Sequence, residues 1–234
     1  MKSTWILFII AIWSCVGLVL SAQAAEKPNK GIGVIVVDVQ GDFTTWKNGS
    51  LAVNGTDKAF IDKLQKATES LKEKGYLIYA TQDWHPKDSI SFYTSHAGKK
   101  PLDTVDVGGG RTQIQWPPHC VQDTEGAKIL LDTKLFEAIV KKGMNKNFDS
   151  YSGFEDDGGA KTGMDEILKK DGVKEVIVYG IAMDYCVKVT AIHAVKAGYK
   201  VTVIDDLTAR ITPETAAKAV SELKDAGVIL RPSL

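Results

Sequence analysis

Apolar positions in this chain fall into short β-branched runs that alternate with stretches of helical spacing. Ile32-Gly33-Val34-Ile35-Val36-Val37 is a continuous apolar run ending at Asp38, the pattern of a strand buried on both faces. Phe60, Leu64, Ala67 and Leu71 then recur on one helical face, and Gly75 stops that helix. Residues 76–81 predict a second strand, which runs on to Asp83-Trp84-His85. Residues 138–142 predict a third strand and 164–170 a helix. Residues 175–179 form a fourth strand, followed from Asp184 by a helix with Val187, Ala191, Ala194 and Val195 on its apolar face. A fifth strand spans residues 200–204. Thr212-Pro213-Glu214 places a cap and a first-turn proline before a helix with Ala216, Val220 and Leu223 on its core face. A last strand covers residues 228–230.

Between residues 86 and 126 the periodicity disappears. This stretch carries Gly108-Gly109-Gly110 and Trp116-Pro117-Pro118-His119. Aperiodic segments of this length inside compact domains are usually functional. Strands alternating with helices predict an α/β fold, a Rossmann-like, open, mostly parallel six-stranded sheet with helices on both faces. Asp38, Asp83, His85, Lys142 and the turn around Cys186 all fall at the carboxyl ends of predicted strands, the edge where such sheets bind ligands. No G-x-G-x-x-G follows the first strand, which argues against a dinucleotide cofactor.

Length and charge narrow the picture. The chain has 234 residues with 29 basic and 29 acidic side chains, so nothing calls for nucleic acid as a partner. Lys2, an apolar stretch over residues 6–20 and Ser21-Ala22-Gln23-Ala24 have the charged start, apolar centre and A-x-A end of a secretory signal. Residues 1–24 are therefore expected to be cleaved after Ala24, with Ala25 the next best site; an uncleaved membrane anchor is the alternative. Residues 25–234 are expected to form one exported domain, periplasmic or secreted, without membrane contact. Cys15 leaves with the signal, so Cys120 and Cys186 remain, either paired or free.

Two groups of residues suggest chemistry. A cysteine at a helix start can act as a nucleophile, its thiolate favoured by free N–H groups and the helix dipole. Asp38 is a candidate base for it, and Lys142 a candidate cation between the two, with Lys141 its immediate rival. The plain alternatives are a buried small hydrophobe, a turn carboxylate and a solvated lysine. Asp83 and His85, two apart on an extended chain, point to the same side and with His119 make a donor set for one divalent transition metal. A hydrogen-bonded Asp–His pair with an unrelated surface histidine would explain the same residues. His96 and His193 have no such partners and are expected to be structural.

The segments Val36-Val37-Asp38-Val39-Gln40-Gly41-Asp42-Phe43, Gln82-Asp83-Trp84-His85-Pro86, Trp116-Pro117-Pro118-His119-Cys120-Val121, Lys142-Gly143, Asp149-Ser150-Tyr151-Ser152-Gly153-Phe154 and Gly180-Ile181-Ala182-Met183-Asp184-Tyr185-Cys186-Val187 resemble the nicotinamidase/pyrazinamidase family of the isochorismatase-like hydrolases. The resemblance runs in order from about Gly31 to the C-terminus. It implies an isochorismatase-like fold and hydrolysis of nicotinamide to nicotinate and ammonia through a cysteine thioester. It makes Asp38, Lys142 and Cys186 the catalytic residues and Asp83, His85 and His119 the ligands of a metal, zinc foremost, iron or manganese otherwise. It puts a non-proline cis peptide at Ile181-Ala182, with the N–H groups of Ala182 and Cys186 as oxyanion donors. Phe43, Trp116, Tyr151 and Ile181 would bind the substrate, ordinary core packing being the alternative for Phe43 and Tyr151. Ser91 falls near a position where some members place another metal contact. Family members also carry a cysteine at the position of Cys120, which argues against an obligatory disulfide to Cys186.

An export signal departs from a family associated mainly with cytoplasmic NAD salvage. Two other readings stay open: an exported relative acting on another small amide such as an N-carbamoyl compound, and an exported metal- or ligand-binding protein. A small molecule is the expected partner in each enzyme reading. Assembly of identical copies is left open.

Overall fold

The computed structural model describes Asn29 and residues 31–234; the segment read as a signal lies outside these residues. Six strands form one parallel sheet: β1 (Ile32–Val37), β2 (Leu77–Asp83), β5 (Ala138–Lys142), β6 (Glu175–Gly180), β7 (Lys200–Thr208) and β8 (Ile229–Arg231). Its order is β5-β2-β1-β6-β7-β8, so the chain winds outward from β1 in one direction and from β6 in the other. The expected mostly parallel sheet is thus parallel throughout.

Side chains of β1 divide between two cores, because successive residues of a strand point to opposite faces. Val34 and Val36 pack with Ile61, Leu64 and Leu71 of α1 (Lys58–Glu73). Burying those three aliphatic chains of α1 is worth roughly 1.5–3 kcal/mol each. Ile35 and Val37 face the other core, with Leu168 of α2 (Met164–Lys170), Ala191 and Ala194 of α3 (Lys188–Lys196), and Ala219 and Leu223 of α4 (Pro213–Asp225). Helices therefore cover both faces. Their starts follow local chemistry: Asp57 accepts the N–H of Phe60, and Thr212 that of Thr215 ahead of Pro213. On α4 the core face is Ala216, Ala219 and Leu223; Val220 is only half-buried.

Two features depart from the sequence reading. The aperiodic stretch contains a small antiparallel hairpin, β3 (Thr104–Asp106) with β4 (Thr112–Ile114), turning through Gly108–Gly110. Strands of three residues are too short to display a period. The strand expected over residues 200–204 continues to Thr208, because β7 shifts register beside β6 and pairs again at Gly180↔Thr208. Among the described residues no helix is long and apolar enough to cross a membrane.

Register decides where the site sits. Val37 pairs with Gly180, and Asp83 with Lys142, so the strand ends align along one edge. The winding reverses between β1 and β6, and a crevice opens at such a reversal.

Candidate active site

Asp38 leaves β1 with φ +49°, a left-handed conformation that aspartate tolerates better than most residues. Thr81 holds it from β2: the Asp38 N–H donates to Thr81 Oγ1 (3.1 Å), and that hydroxyl donates to Asp38 Oδ1 (2.6 Å). Cys186 comes from the far side of the reversal. It lies in a π-helical turn, Met183–Val187, that runs directly into α3. Lys142 reaches the pair from the end of β5. Its Nζ is 3.0 Å from Asp38 Oδ2 and 3.5 Å from Cys186 Sγ, and it donates to the Ser150 carbonyl at 2.7 Å and to Asp83 Oδ1. Its rival Lys141 points the other way and stacks on Trp84, with Nζ 3.7 Å from the ring centroid. Alternation along β5 makes that choice.

All three side chains are buried, and burial sets their charges. It pushes the Asp38 carboxyl up to about 6, reinforced by Asp83 and opposed by Lys142 and Thr81. Burial also raises the Cys186 thiol well above its usual range, with Asp38 and Asp83 adding to the effect against Lys142. The sequence reading expected a thiolate favoured by the helix start. Here desolvation and two carboxylates act against that preference, which leaves the thiol in need of the base expected in Asp38. For Lys142, burial works against the charge, but Asp38 and Asp83 overcome it and hold the ammonium protonated.

Asp83, His85 and His119 bring one donor atom each within 4.8 Å of one another, all buried. His85 sets Nε2 3.6 Å from Asp83 Oδ2. His119 comes from the aperiodic stretch, where Nδ1–H donates to the Pro117 carbonyl at 2.7 Å and leaves Nε2 free. Burial and His85 lower His119 to about 4, so it is the neutral imidazole a metal requires. Burial opposes ionisation of Asp83, but Lys142, His85 and His119 hold it well below the usual carboxylate range. One carboxylate and two imidazoles, buried and convergent, fit a divalent transition metal. Asp38, Asp83 and Cys186 also converge, but the Lys142 ammonium already occupies the space between them.

The supports of these ligands are specific. Gly143 has φ +67°, and a Cβ there would lie 2.4 Å from His85 Cε1. Gln40 accepts the Asp83 N–H and donates to the Asp83 carbonyl, both at 2.8 Å. Asp42 Oδ2 accepts the N–H of Cys120, next to His119, at 2.7 Å. Phe43 and Phe92 pack on the His119 ring at 5.3 and 5.4 Å. Ser91 is buried with its hydroxyl 3.0 Å from that of Ser89.

A cavity meets both groups, with Asp83, His119 and Cys186 on its lining. Phe43, Trp116, Tyr151, Ile181, Ala182 and Cys186 line it, so every residue expected around the substrate reaches it. The Ile181–Ala182 peptide is cis. Sequence reasoning missed Leu51, Val53, Tyr185 and Ile211 on the same walls. Tyr185 stands edge-on to Trp116 at 5.2 Å, and the Trp116 Nε1–H donates to the Tyr151 hydroxyl at 2.8 Å. Its place beside Cys186 was the one available signal. Cys120 and Cys186 are free thiols. His96 and His193 sit apart, against the Ile90 carbonyl and Glu155.

The isochorismatase domain model matches residues 33–233. The chain is 42% identical over 185 residues to the nicotinamidase of Acinetobacter baylyi, covering 77% of this chain and 82% of that protein. Its fold is similar to that of the yeast nicotinamidase bound to the inhibitor nicotinaldehyde, with TM-score 0.78 and 35% identity over 85% of this chain and 98% of the other. It is also similar to the pyrazinamidase of Pyrococcus horikoshii in complex with zinc, with TM-score 0.71 and 35% identity over 86% and 98%. A buried Asp–Lys–Cys cluster beside an Asp–His–His set, on a sheet shared with these proteins, places this chain in the nicotinamidase/pyrazinamidase family of isochorismatase-domain hydrolases, as an amidase.

Proposed function

We propose that this chain hydrolyses nicotinamide to nicotinate and ammonia, and pyrazinamide likewise, with Cys186 as nucleophile. The observation that carries the reading is the position of Lys142 Nζ, 3.0 Å from Asp38 and 3.5 Å from Cys186, the thiol that lines the cavity. Asp38 takes the thiol proton as sulfur attacks the carboxamide carbon. Because the thiol is pushed up and Asp38 is near 6, that transfer is coupled to attack rather than completed beforehand. The Lys142 ammonium holds sulfur and carboxylate together as negative charge develops.

The backbone N–H groups of Ala182 and Cys186 take the oxyanion, a contribution of roughly 3 kcal/mol per donor in comparable sites. Ala182 and Cys186 both line the cavity, and among the described residues the Ala182 N–H has no acceptor within the protein. Asp38 returns the proton to the departing nitrogen, which leaves as ammonia. A water, losing a proton to Asp38, then cleaves the thioester and regenerates the thiol. Asp83, His85 and His119 would hold a divalent metal, zinc foremost, which would supply a Lewis-acid site for the ring nitrogen. Phe43, Trp116 and Tyr151 would flank the ring and orient its amide toward Cys186. We also propose that residues 1–24 direct export and that the cleaved protein acts outside the cytoplasm.

Ammonia release by the mature protein tests the reading, with nicotinamide and N-carbamoyl compounds compared. Turnover of nicotinamide, lost by about 10⁴-fold or more in Cys186→Ala and on chelation, is expected. Turnover of N-carbamoyl compounds alone would overturn the substrate, and full activity in Cys186→Ala the mechanism.

A further inference from the structure

The turn that carries Cys186 is tied to the segment before α4 by a buried carboxylate that the proposed chemistry does not use. Asp184 is 4% exposed. Its Oδ1 and Oδ2 accept the N–H of Ile211 at 3.0 and 3.1 Å, and Oδ2 also accepts the N–H of Thr212 at 3.3 Å and the hydroxyl of Thr215. Ile211 lines the same cavity as Tyr185 and Cys186, and Thr212 caps α4. The same two segments are joined by the main chain, where Met183 N–H donates to the Ala209 carbonyl at 2.7 Å and Ala209 N–H to that of Gly180 at 3.0 Å.

A π-helical turn is a poor self-supporting unit, since its hydrogen bonds are sparse and such turns persist mainly at functional sites. Here the turn holds the attacking sulfur two residues beyond Asp184. The residue that receives four contacts from the far segment is therefore placed to set the direction of the sulfur. A carboxylate suits the task because every partner is a donor and α4 presents its N-terminus.

We propose that Asp184 is a positioning residue, fastening the nucleophile turn to the 209–215 segment so that Cys186 and the Ile211 wall hold a fixed separation. The inference rests on Cys186 being the nucleophile. Asp184→Asn keeps one acceptor and Asp184→Ala none; Thr215→Val removes a single hydroxyl. Displacement of a reacting atom by about 1 Å costs on the order of 100-fold in rate. Accordingly kcat should fall about 100-fold in Asp184→Ala and about 10-fold in Asp184→Asn, with a smaller fall of about threefold in Thr215→Val.

The KM for nicotinamide should stay within about threefold, and bound metal should be unchanged, because Phe43, Trp116 and Tyr151 and the three metal-site residues lie on other segments. Rates are to be expressed per folded protein, measured by near-ultraviolet circular dichroism, so that unfolded protein is not counted. A kcat within twofold of the parent in Asp184→Asn and Thr215→Val, with only the unfolding midpoint lowered, would show a purely structural role and overturn the proposal. If Asp184→Ala does not fold, those two variants decide. Absence of nicotinamide turnover in the parent protein itself would instead fault the functional reading, which keeps the two failures separate.

Discussion

The Asp38–Lys142–Cys186 group and the Asp83–His85–His119 group touch, yet they are held in different ways. In the first, Asp38 and Lys142 stand at or just beyond the end of a sheet strand, and Cys186 lies in the turn that follows β6. In the second, only Asp83 lies within a strand; His85 follows two residues on, and His119 comes from the aperiodic stretch. Sheet register sets Asp38 and Lys142, and the turn after β6 brings Cys186 to them. The second needs a glycine without room for a Cβ at 143, a carbonyl at Pro117 and a carboxylate at Asp42 to hold its loop. Asp83 belongs to both, since it accepts from Lys142 and faces the histidines. One lysine thus balances the carboxylates of both groups.

Lys142→Met should strike both groups at once and is the largest effect expected. It leaves Asp38 and Asp83 buried without their shared cation, a loss of about 3 kcal/mol or more. Activity should fall more than about 1000-fold, and urea denaturation should show the lost stability. An unchanged midpoint would refute the ion-pair account. Gly143→Ala should divide the two groups. Its Cβ would drive into His85, so zinc affinity should fall about 10- to 100-fold, while iodoacetamide still alkylates Cys186 at the parent rate.

Lowering the pH should act mainly through the first group. Asp38 must be unprotonated to take a proton, and its pKa is raised to about 6, so kcat/KM should fall about tenfold per pH unit below that value. A limb near the ordinary aspartate value would mean that burial does not control it. Tyr151→Phe touches neither group. It removes the acceptor of the Trp116 indole N–H, worth about 1 kcal/mol, so KM should rise about fivefold with kcat within about twofold.

Much of this arrangement is legible in one dimension. The strand ends at Asp38, Asp83 and Lys142 are marked by apolar runs meeting a charged residue, and the same side of Asp83 and His85 follows from their spacing. The choice of Lys142 over Lys141 follows from its place before Gly143 at the strand end, and the face of β5 that meets the sheet interior agrees with it. Thr81, Gln40 and Asp184 were missed. Each acts by a hydrogen bond to a residue 27 or more positions away, and nothing in a local pattern marks such a bond. How burial opposes the thiolate that the helix start favours is a property of the assembled fold.

The sequence by itself determined the elements, the parallel sheet with helices on both faces, and the residue types gathered at one edge, because periodicity and strand-end chemistry are local. Only the tertiary structure decided the strand order that reverses between β1 and β6, the sharing of Lys142 by Asp38, Asp83 and Cys186, and the resting protonation of that cluster. Those depend on desolvation and on charges brought together from distant segments, and both exist only once the chain has packed.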